Sequence, residues 1–448
     1  MSSNLDPISA PVDPISVEHR IESVDDYDKR YQVLLDALKK TNRQRPGNAQ
    51  HCLLVRKLEN FFNPLCDSLQ RLHENESFQA NERAWRAFNH HRELLVEIAF
   101  AYTSIASPPI GVQGADNSLR LYAAEQGLRR HVQLMYIHQL HHLPCPNWWS
   151  DLYALASIQR KLSGSNVCGY FAVAVALQVI DYYALSRSAV HFLIQVLMEW
   201  SQSIELEPFM APRSRPPYRL RMDFSLDGPP AASGWWQGND NDELWEIDLG
   251  SMAAKATEIM EKHNHYDAVR VAELLDRACG FGHHRSEPRL VCHNACNISL
   301  GSDDCFKTVG QRLQSGRPAT IVDMSVHGIG LAITPQDRLT EPGEMCAIKV
   351  QDQWVIAEIC WVRANRPLWR MGCRVIATDI ETTFASINGR NVKVFASQRE
   401  NDFIIVVPAG VGDVGQSLVF TETPARFRLV ELLNQTDDLT CYRFELIE

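Results

Sequence analysis

The chain lacks every short motif that would mark one of the common enzyme classes. Its 448 residues contain no GxSxG nucleophile elbow, no GxxxxGK[ST] phosphate loop and no HExxH zinc-protease motif. Scattered serine, histidine and aspartate residues do not by themselves define a catalytic site. We therefore expect a protein that is not an enzyme, and an unrecognised hydrolase site in the N-terminal half is kept only as a minor alternative.

Long apolar runs and a leader peptide are also missing. The most apolar stretch, residues 168–180, is too short to span a bilayer and ends at Asp181. The first residues lack the basic start and apolar core of a secretory signal, and they repeat Asp-Pro-Ile-Ser, so residues 1–17 are predicted to be a flexible tail. Twelve scattered cysteines form no dense disulfide framework, which is typical of a cytoplasmic protein.

The charge balance limits the class of ligand. The formal net charge is −10, and no continuous stripe of Lys and Arg is present. A nucleic acid polymer needs such a stripe, whereas a small dianion needs only a local pair of cations. We therefore exclude DNA and RNA as expected partners and keep small anionic ligands.

The first half of the chain has helical periodicity. Apolar residues recur at helical spacing, and one example runs through Trp148, Leu152, Leu155, Ile158 and Leu162. Further segments of this kind cover residues 27–40, 51–73, 84–106, 117–142 and 168–208. They predict a helical domain over residues 18–210, built as an α-hairpin array similar to tetratricopeptide repeats, although no clean 34-residue period is present.

The second half changes from a connecting region to β structure. Residues 211–282 begin basic and proline-rich, then form an acidic loop, and they predict one or two strands followed by two helices. Residues 283–387 and 388–448 each hold a series of short apolar strands separated by turns, which predicts two small antiparallel barrels. The expected fold class is therefore multidomain α+β.

Two short motifs stand out at the start of the first predicted barrel. Arg285 and Arg289 form an RxxxR pair, and Asp323, Ser325 and Gly328 form DxSxxG. Two guanidinium groups can grip a phosphate bidentately or bond the O6 and N7 atoms of guanine. Residues two apart on a strand end point to one face, and a glycine lets the backbone pass close to a ligand. Alone, each motif is common on solvated helix ends or in turns; in this order they favour a nucleotide site.

The five residues and the strands around them resemble the PilZ family, whose members are bacterial receptors for cyclic di-GMP. The resemblance covers about residues 283–385 and includes the runs IGLAITP, QWVIAEICWVRA and WRMGCRVIA. It implies a small β-barrel with cyclic di-GMP bound at the two motifs. One departure is the separation of the motifs by residues 290–322, in which residues 301–316 are predicted to form an enlarged loop.

Neither a metal nor a resident cofactor is expected. Cys292, His293 and Cys296 lie near one another in sequence, but no second CxxC completes a zinc set, and small core residues explain the spacing equally well. No segment similar to the GGDEF or EAL enzymes of cyclic di-GMP metabolism is present. The second barrel carries neither motif, so no second nucleotide site is predicted there.

The sequence therefore predicts a cytoplasmic, non-catalytic cyclic di-GMP receptor that relays ligand binding to a protein partner through its helical domain. Such a receptor would control motility, adhesion or biofilm formation. One alternative is a PilZ-like scaffold that binds no nucleotide and acts through its helices. Another is an adaptor whose interaction with its partner is constitutive. The identity of the partner and the oligomeric state stay open at this point.

Overall fold

The computed structural model describes most of the chain in eighteen segments. They cover residues 12–24, 26–44, 47–74, 81–108, 114–164, 169–208, 219–225, 228–232, 244–263, 265–279, 289–310, 316–334, 340–351, 353–365, 368–399, 402–423, 425–436 and 438–447. Helices fill the N-terminal half, and antiparallel sheets that include closed six-stranded barrels fill the C-terminal part. The predicted multidomain α+β class is confirmed.

Eight α-helices precede the first strand in the described part of the chain. They are α1 Pro14–Glu22, α2 Tyr27–Gln44, α3 Ala49–Glu74, α4 Glu82–Ala106, α5 Asn117–Leu140, α6 Trp149–Ser163, α7 Tyr170–Val179 and α8 Arg187–Trp200. A 3₁₀ turn, Tyr182–Ala184, lies between α7 and α8. Helix α1 starts inside the segment expected to be a flexible tail, because the Asp13 side chain accepts hydrogen bonds from the first turn and Pro14 suits a helix start.

Helix α5 lies at the centre of the helical region. It packs against α3, α4, α6, α7 and α8. Its buried residues point in all directions around the helix axis rather than along one stripe, as expected for a helix surrounded by others. Gly127 permits a close approach here, since a Cβ at this position would lie 2.9 Å from a methyl group of Leu155 on α6.

A chain of buried histidines crosses this helical core. His91 Nδ1 lies 3.0 Å from His73 Nε2, and His73 Nδ1 lies 2.9 Å from His141 Nε2. Arg187 Nη2 lies 3.2 Å from His141 Nδ1. Because a guanidinium can only donate, His141 must accept at Nδ1 and donate from Nε2, and the same direction then passes to His73 and His91. Arg187 thus fixes the tautomers of three neutral imidazoles.

The connecting region shares a core with the helices. Strands β1 Leu206–Pro208, β2 Arg219–Asp223, β3 Ala231–Ala232 and β4 Leu244–Asp248 form a small sheet in the order β1, β4, β2, β3. Helices α9 Gly250–Lys262 and α10 Tyr266–Cys279 follow, in agreement with the two helices expected in this region. Leu220 and Met222 of β2, together with Met252 of α9, belong to the same buried cluster as the helical half.

The first barrel is closed by six antiparallel strands. They are β5 Leu290–Leu300, β6 Arg317–Met324, β7 Gly328–Ile333, β8 Met345–Val350, β9 Gln353–Asn365 and β10 Leu368–Ala377, with the order β10, β7, β6, β5, β8, β9 around the barrel. Alternate residues such as Ile298, Leu331 and Ile359 fill the interior. Antiparallel pairing in a closed barrel leaves no free sheet edge, so the outer face is available for other contacts.

The segment expected to be an enlarged loop instead contains a helix. Helix α11, Ser302–Gly310, has two aspartates in its first turn, which favour a helix N-terminus, and it buries Cys305, Phe306 and Val309. The Phe306 ring stacks on Phe395 of the second barrel with ring centroids 4.1 Å apart. The apolar face of α11 is buried by residues of both barrels that are distant in sequence, which explains why the local sequence resembled a loop.

The second barrel is also closed by six strands. They are β11 Ile380–Ile387, β12 Arg390–Arg399, β13 Asp402–Pro408, β14 Ser417–Phe420, β15 Arg426–Gln435 and β16 Leu439–Leu446. Strand β11 pairs with β12 and β14, so the second barrel starts at Ile380, whereas the sequence had placed the boundary at residue 388. Strands β11 and β12 form a tight hairpin through Asn388 and Gly389, both with positive φ. The predicted domain boundary at residue 388 lies in this turn.

Buried polar contacts join the domains. The Glu358 carboxylate of β9 accepts hydrogen bonds from Arg374 of β10, from Asn434 of β15 at 2.9 Å and from the Tyr266 hydroxyl of α10 at 3.4 Å. Asp438 before β16 accepts from the backbone nitrogen of Met345 at 2.8 Å. A single carboxylate on the first barrel therefore contacts both the second barrel and the connecting helices. In the described segments, no helix is long and apolar enough to cross a membrane.

The histidine chain predicts a pH-dependent stability of the helical half. Burial lowers the pKa of His73 to about 2 and that of His91 to about 3, and the guanidinium groups of Arg187 and Arg130, respectively, lower them further. In the unfolded chain both titrate near 6.5, so below that pH the unfolded state binds protons that the folded state does not. Stability is full above about pH 6.5, and we expect each such histidine to remove up to about 1.4 kcal/mol per pH unit as the pH falls toward 3.

Urea unfolding followed by helical circular dichroism at pH 7.5, 6.5 and 5.5 measures this dependence. The His73→Asn variant removes one titrating group, so its stability should fall less steeply with decreasing pH than that of the wild type. His19 is exposed on α1, and His19→Asn is the matched control that should keep the wild-type slope. A slope in His73→Asn equal to the wild-type slope would contradict the proposed linkage.

Candidate functional site

The β6–β7 hairpin presents three of the residues identified from the sequence. Asp323 is near the end of β6 and pairs with Gly330 of β7. Ser325 lies in the connecting turn, which is closed by a 2.8 Å hydrogen bond from the Ser325 nitrogen to the Gly328 carbonyl oxygen. Gly328 is the first residue of β7. The turn therefore fixes Asp323, Ser325 and Gly328 at one corner of the barrel.

Strand β5 brings Arg289 to the same corner. Arg289 directly precedes β5, and Val291 pairs with Asp323. The Arg289 guanidinium donates to the Asp323 carboxylate, with about a fifth to a quarter of each side chain exposed. A Cβ on Gly328 would lie 3.3 Å from Arg289 Nη2, so the arginine also passes close over the turn. Four of the five predicted residues are thus brought together, while Arg285 lies outside the described residues.

Gly330 is needed for the position of Asp323. A Cβ on Gly330 would lie 2.5 Å from Asp323 Oδ1 and 2.8 Å from its Cγ, closer than nonbonded atoms approach. The carboxylate therefore lies flat against the backbone of the next strand. Gly330 was not identified from the sequence, although its place two residues after Gly328 in the run GIG was a usable signal.

A pocket opens beside Asp323, between the barrel and the helical half. Its volume is about 330 Å³. Asp323, Gly330, Trp361, Arg363 and Arg370 line it from the barrel. Asp181 and Tyr183, at the 3₁₀ turn before α8, line it from the helical half. The outer face of strands β6, β7, β10 and β9 is therefore one wall, and the helical region is the other.

Aromatic groups shape this pocket. Trp361 on β9 lies across its cross-strand partner Gly372, where any Cβ would lie 2.0 Å from the indole Nε1. Only glycine at position 372 allows this arrangement. The Arg363 guanidinium lies over the ring of Tyr183, with its Cζ 4.4 Å from the ring centroid. The barrel and the helical half thus meet through a cation–π contact.

Sequence reasoning missed Arg363 and Arg370, yet a signal for them was available. The two residues pair directly across the β9–β10 hairpin. Because neighbouring antiparallel strands pair in a fixed register, a hairpin register for these two runs would have placed Arg363 and Arg370 side by side.

The cysteines near β5 do not gather metal ligands in the described residues. Cys296 is buried in the core of the first barrel. The described segments hold no group of three His, Cys, Asp or Glu side chains that could bind a metal ion.

Comparison with known families gives one match. Residues 22–212 match the family model described as Cyclic-di-GMP receptor FimW, N-terminal domain. The match covers the helical half, less than half of the chain, and stops before the connecting strands β2–β4 and both barrels. No curated protein matches the sequence. The helical half is therefore similar to the N-terminal domain of a cyclic-di-GMP receptor, while the PilZ resemblance of the barrel stays a prediction.

Proposed function

We propose that this chain is a non-catalytic receptor that binds cyclic di-GMP on the first barrel and relays occupancy to a partner protein. One convergence supports the proposal. The helical half matches a cyclic-di-GMP receptor domain, and a separate part of the chain places Arg289, Asp323, Ser325 and Gly328 at one corner. Motility, adhesion and biofilm formation are the outputs that such a bacterial receptor would control.

Each residue has a role that follows from its chemistry. Arg289 carries five N–H donors and uses part of this set on Asp323, so the remaining donors can bind a phosphate or the O6 and N7 atoms of guanine. Asp323 and Ser325 provide oxygen acceptors for the N–H groups of a guanine edge. Gly328 leaves room for the ligand at the turn. Arg285 would add a second guanidinium.

Relay to the helical half requires the ligand to favour one arrangement of the domains. A ligand with equal affinity for two arrangements shifts neither. The pocket beside Asp323 supplies a physical route, because one of its walls is the 3₁₀ turn Tyr182–Ala184 of the helical half. A ligand at Asp323 that extends into this pocket would contact both halves.

The first prediction is discrimination between cyclic dinucleotides. Guanine offers two acceptors to an arginine fork, whereas adenine replaces O6 with an amino group that would face another donor. Calorimetric titration should therefore show binding of cyclic di-GMP, with one or two ligands per chain, and no binding of cyclic di-AMP. Equal heats for both would contradict a guanine site, and no heat with either would favour the scaffold that binds no nucleotide.

A second prediction concerns Arg289. Arg289→Ala should weaken cyclic di-GMP binding by about 1.5–3 kcal/mol, the scale of hydrogen bonds to a charged group. The melting temperature of the free protein should change little, because a partly exposed ion pair contributes about 0–1 kcal/mol. Arg428→Ala, at an exposed arginine on β15, is the matched control and should bind normally. Unchanged affinity in Arg289→Ala would place the site elsewhere on the molecule.

The third prediction addresses the relay. Hydrogen exchange with and without cyclic di-GMP should show added protection at residues 289–291 and 323–330. It should also show a change at the Tyr182–Ala184 turn, because Tyr183 lines the other wall of the pocket, and at the start of α8, which directly follows this turn. Protection confined to the barrel would preserve the receptor role but rule out relay through the helical half.

A further inference from the structure

The pocket beside Asp323 contains a pair of arginines that has no role in the two sequence motifs. Arg363 of β9 and Arg370 of β10 are direct cross-strand partners on the outer face of the barrel, and both are exposed. In an antiparallel pair, side chains directly opposite each other lie close together, and two like charges in this position destabilise the sheet. An arrangement of this kind is relieved by an anion placed between them.

The surroundings do not neutralise this pair. Among the ion pairs of the described segments, such as Arg289–Asp323 and Arg374–Glu358, none involves Arg363 or Arg370. Asp323 lines the same pocket, but its carboxylate is already bound by Arg289. Asp181 is then the one further carboxylate on the lining, against two guanidinium groups. The pocket therefore has an excess of positive charge although the chain as a whole has a net charge of −10.

The contact with Tyr183 prepares Arg363 for a planar ligand group. The guanidinium face lies over the tyrosine ring at 4.4 Å, which limits the orientations of the long side chain. Stacking uses the face and leaves the N–H groups on the edge free to donate in the plane. Those edge donors match two oxygens of a phosphodiester, and arginine prefers this bidentate geometry. Trp361 adds an apolar wall next to them.

We propose that Arg363 and Arg370 form a second anion subsite, which holds a phosphodiester group of the cyclic dinucleotide while Arg289 and Asp323 engage its guanine. This inference rests on the proposed function, since it assigns the far end of the same ligand. The volume of about 330 Å³ is at the lower end of small-molecule pockets, about 300–1,000 Å³, and therefore suits one part of a dinucleotide rather than the whole. Because Tyr183 holds Arg363, ligand binding at this subsite acts directly on the helical half.

Calorimetry on the full chain tests the subsite with cyclic di-GMP as the probe. Arg370→Ala and Arg363→Ala should each weaken binding about tenfold or more, the effect of losing a charge-assisted hydrogen bond. Arg370→Lys should recover part of the loss, since it restores the charge without the fork. Arg428→Ala, on the outer face of the second barrel, should bind as the wild type does.

Thermal melting provides a second measurement that separates binding from folding. Without ligand, Arg370→Ala should melt at or slightly above the wild-type temperature, because the like-charge repulsion is removed. At a cyclic di-GMP concentration that saturates the wild type, the ligand should raise the melting temperature of the variant less than that of the wild type. A variant that melts well below the wild type without ligand would show that Arg370 is structural and would overturn the proposal.

The outcomes distinguish the subsite from the receptor function. If the wild type binds cyclic di-GMP and Arg289→Ala weakens it, while Arg363→Ala and Arg370→Ala bind normally, the subsite is refuted and the receptor function stands. If the wild type binds no cyclic di-GMP, the proposed function and the subsite fail together. Weakening by both sets of variants supports a ligand that spans from the hairpin corner to the helical half.

Discussion

The joining of the two halves depends on the contacts of one buried charged residue, Arg187. Its side chain is almost fully buried, donates to the carbonyl oxygen of Glu74 and to His141, and lies 3.7 Å from Glu341 of the first barrel. A buried guanidinium is costly unless its donors are satisfied, so the helical core and the barrel loop must both be in place to hold it. The hydrogen bonds that start at Arg187 continue through His141, His73 and His91 into the helical core. The Arg187 guanidinium thereby holds the first barrel against the helices, because a displacement of either one would leave a buried charge without its partners.

The position of Arg187 in the chain connects this anchor to the candidate site. Arg187 is the first residue of α8, and the 3₁₀ turn with Tyr183 comes just before it. The turn therefore connects buried Arg187 to the pocket beside Asp323, which Tyr183 lines. A backbone hydrogen bond of 3.0 Å from Ala364 to the His142 carbonyl oxygen fixes strand β9 to the same region. A shift of Arg363 on β9 would act on the turn and then on α8.

Sequence patterns predicted the elements better than their tertiary arrangement. Helical periodicity located α2 to α6, and the apolar runs IGLAITP, QWVIAEICWVRA and WRMGCRVIA located β7, β9 and β10, because these patterns report which part of an element is buried. The central place of α5 could not be inferred, since a helix buried on all sides has no stripe that points to its neighbours. Helix α11 was missed for a related reason, because its Phe306 is buried by residues distant in sequence, among them Phe395 of the second barrel. The site followed the same rule: the corner formed by Asp323, Ser325 and Gly328 is local in sequence, whereas Tyr183 reaches the pocket through folding alone.

The stack of Phe306 on Phe395 also bears on modularity. Helix α11 grows out of the first barrel but buries its apolar face in a cluster that includes Val406, Leu439 and Cys441 of the second. The first barrel therefore shares buried contacts on two sides, with the helices and with the second barrel. Cutting the chain after β10 would expose this shared cluster to water, and a fragment with such a surface is prone to aggregate. Grafting the barrel alone onto another protein as a portable sensor would require a redesigned surface on α11.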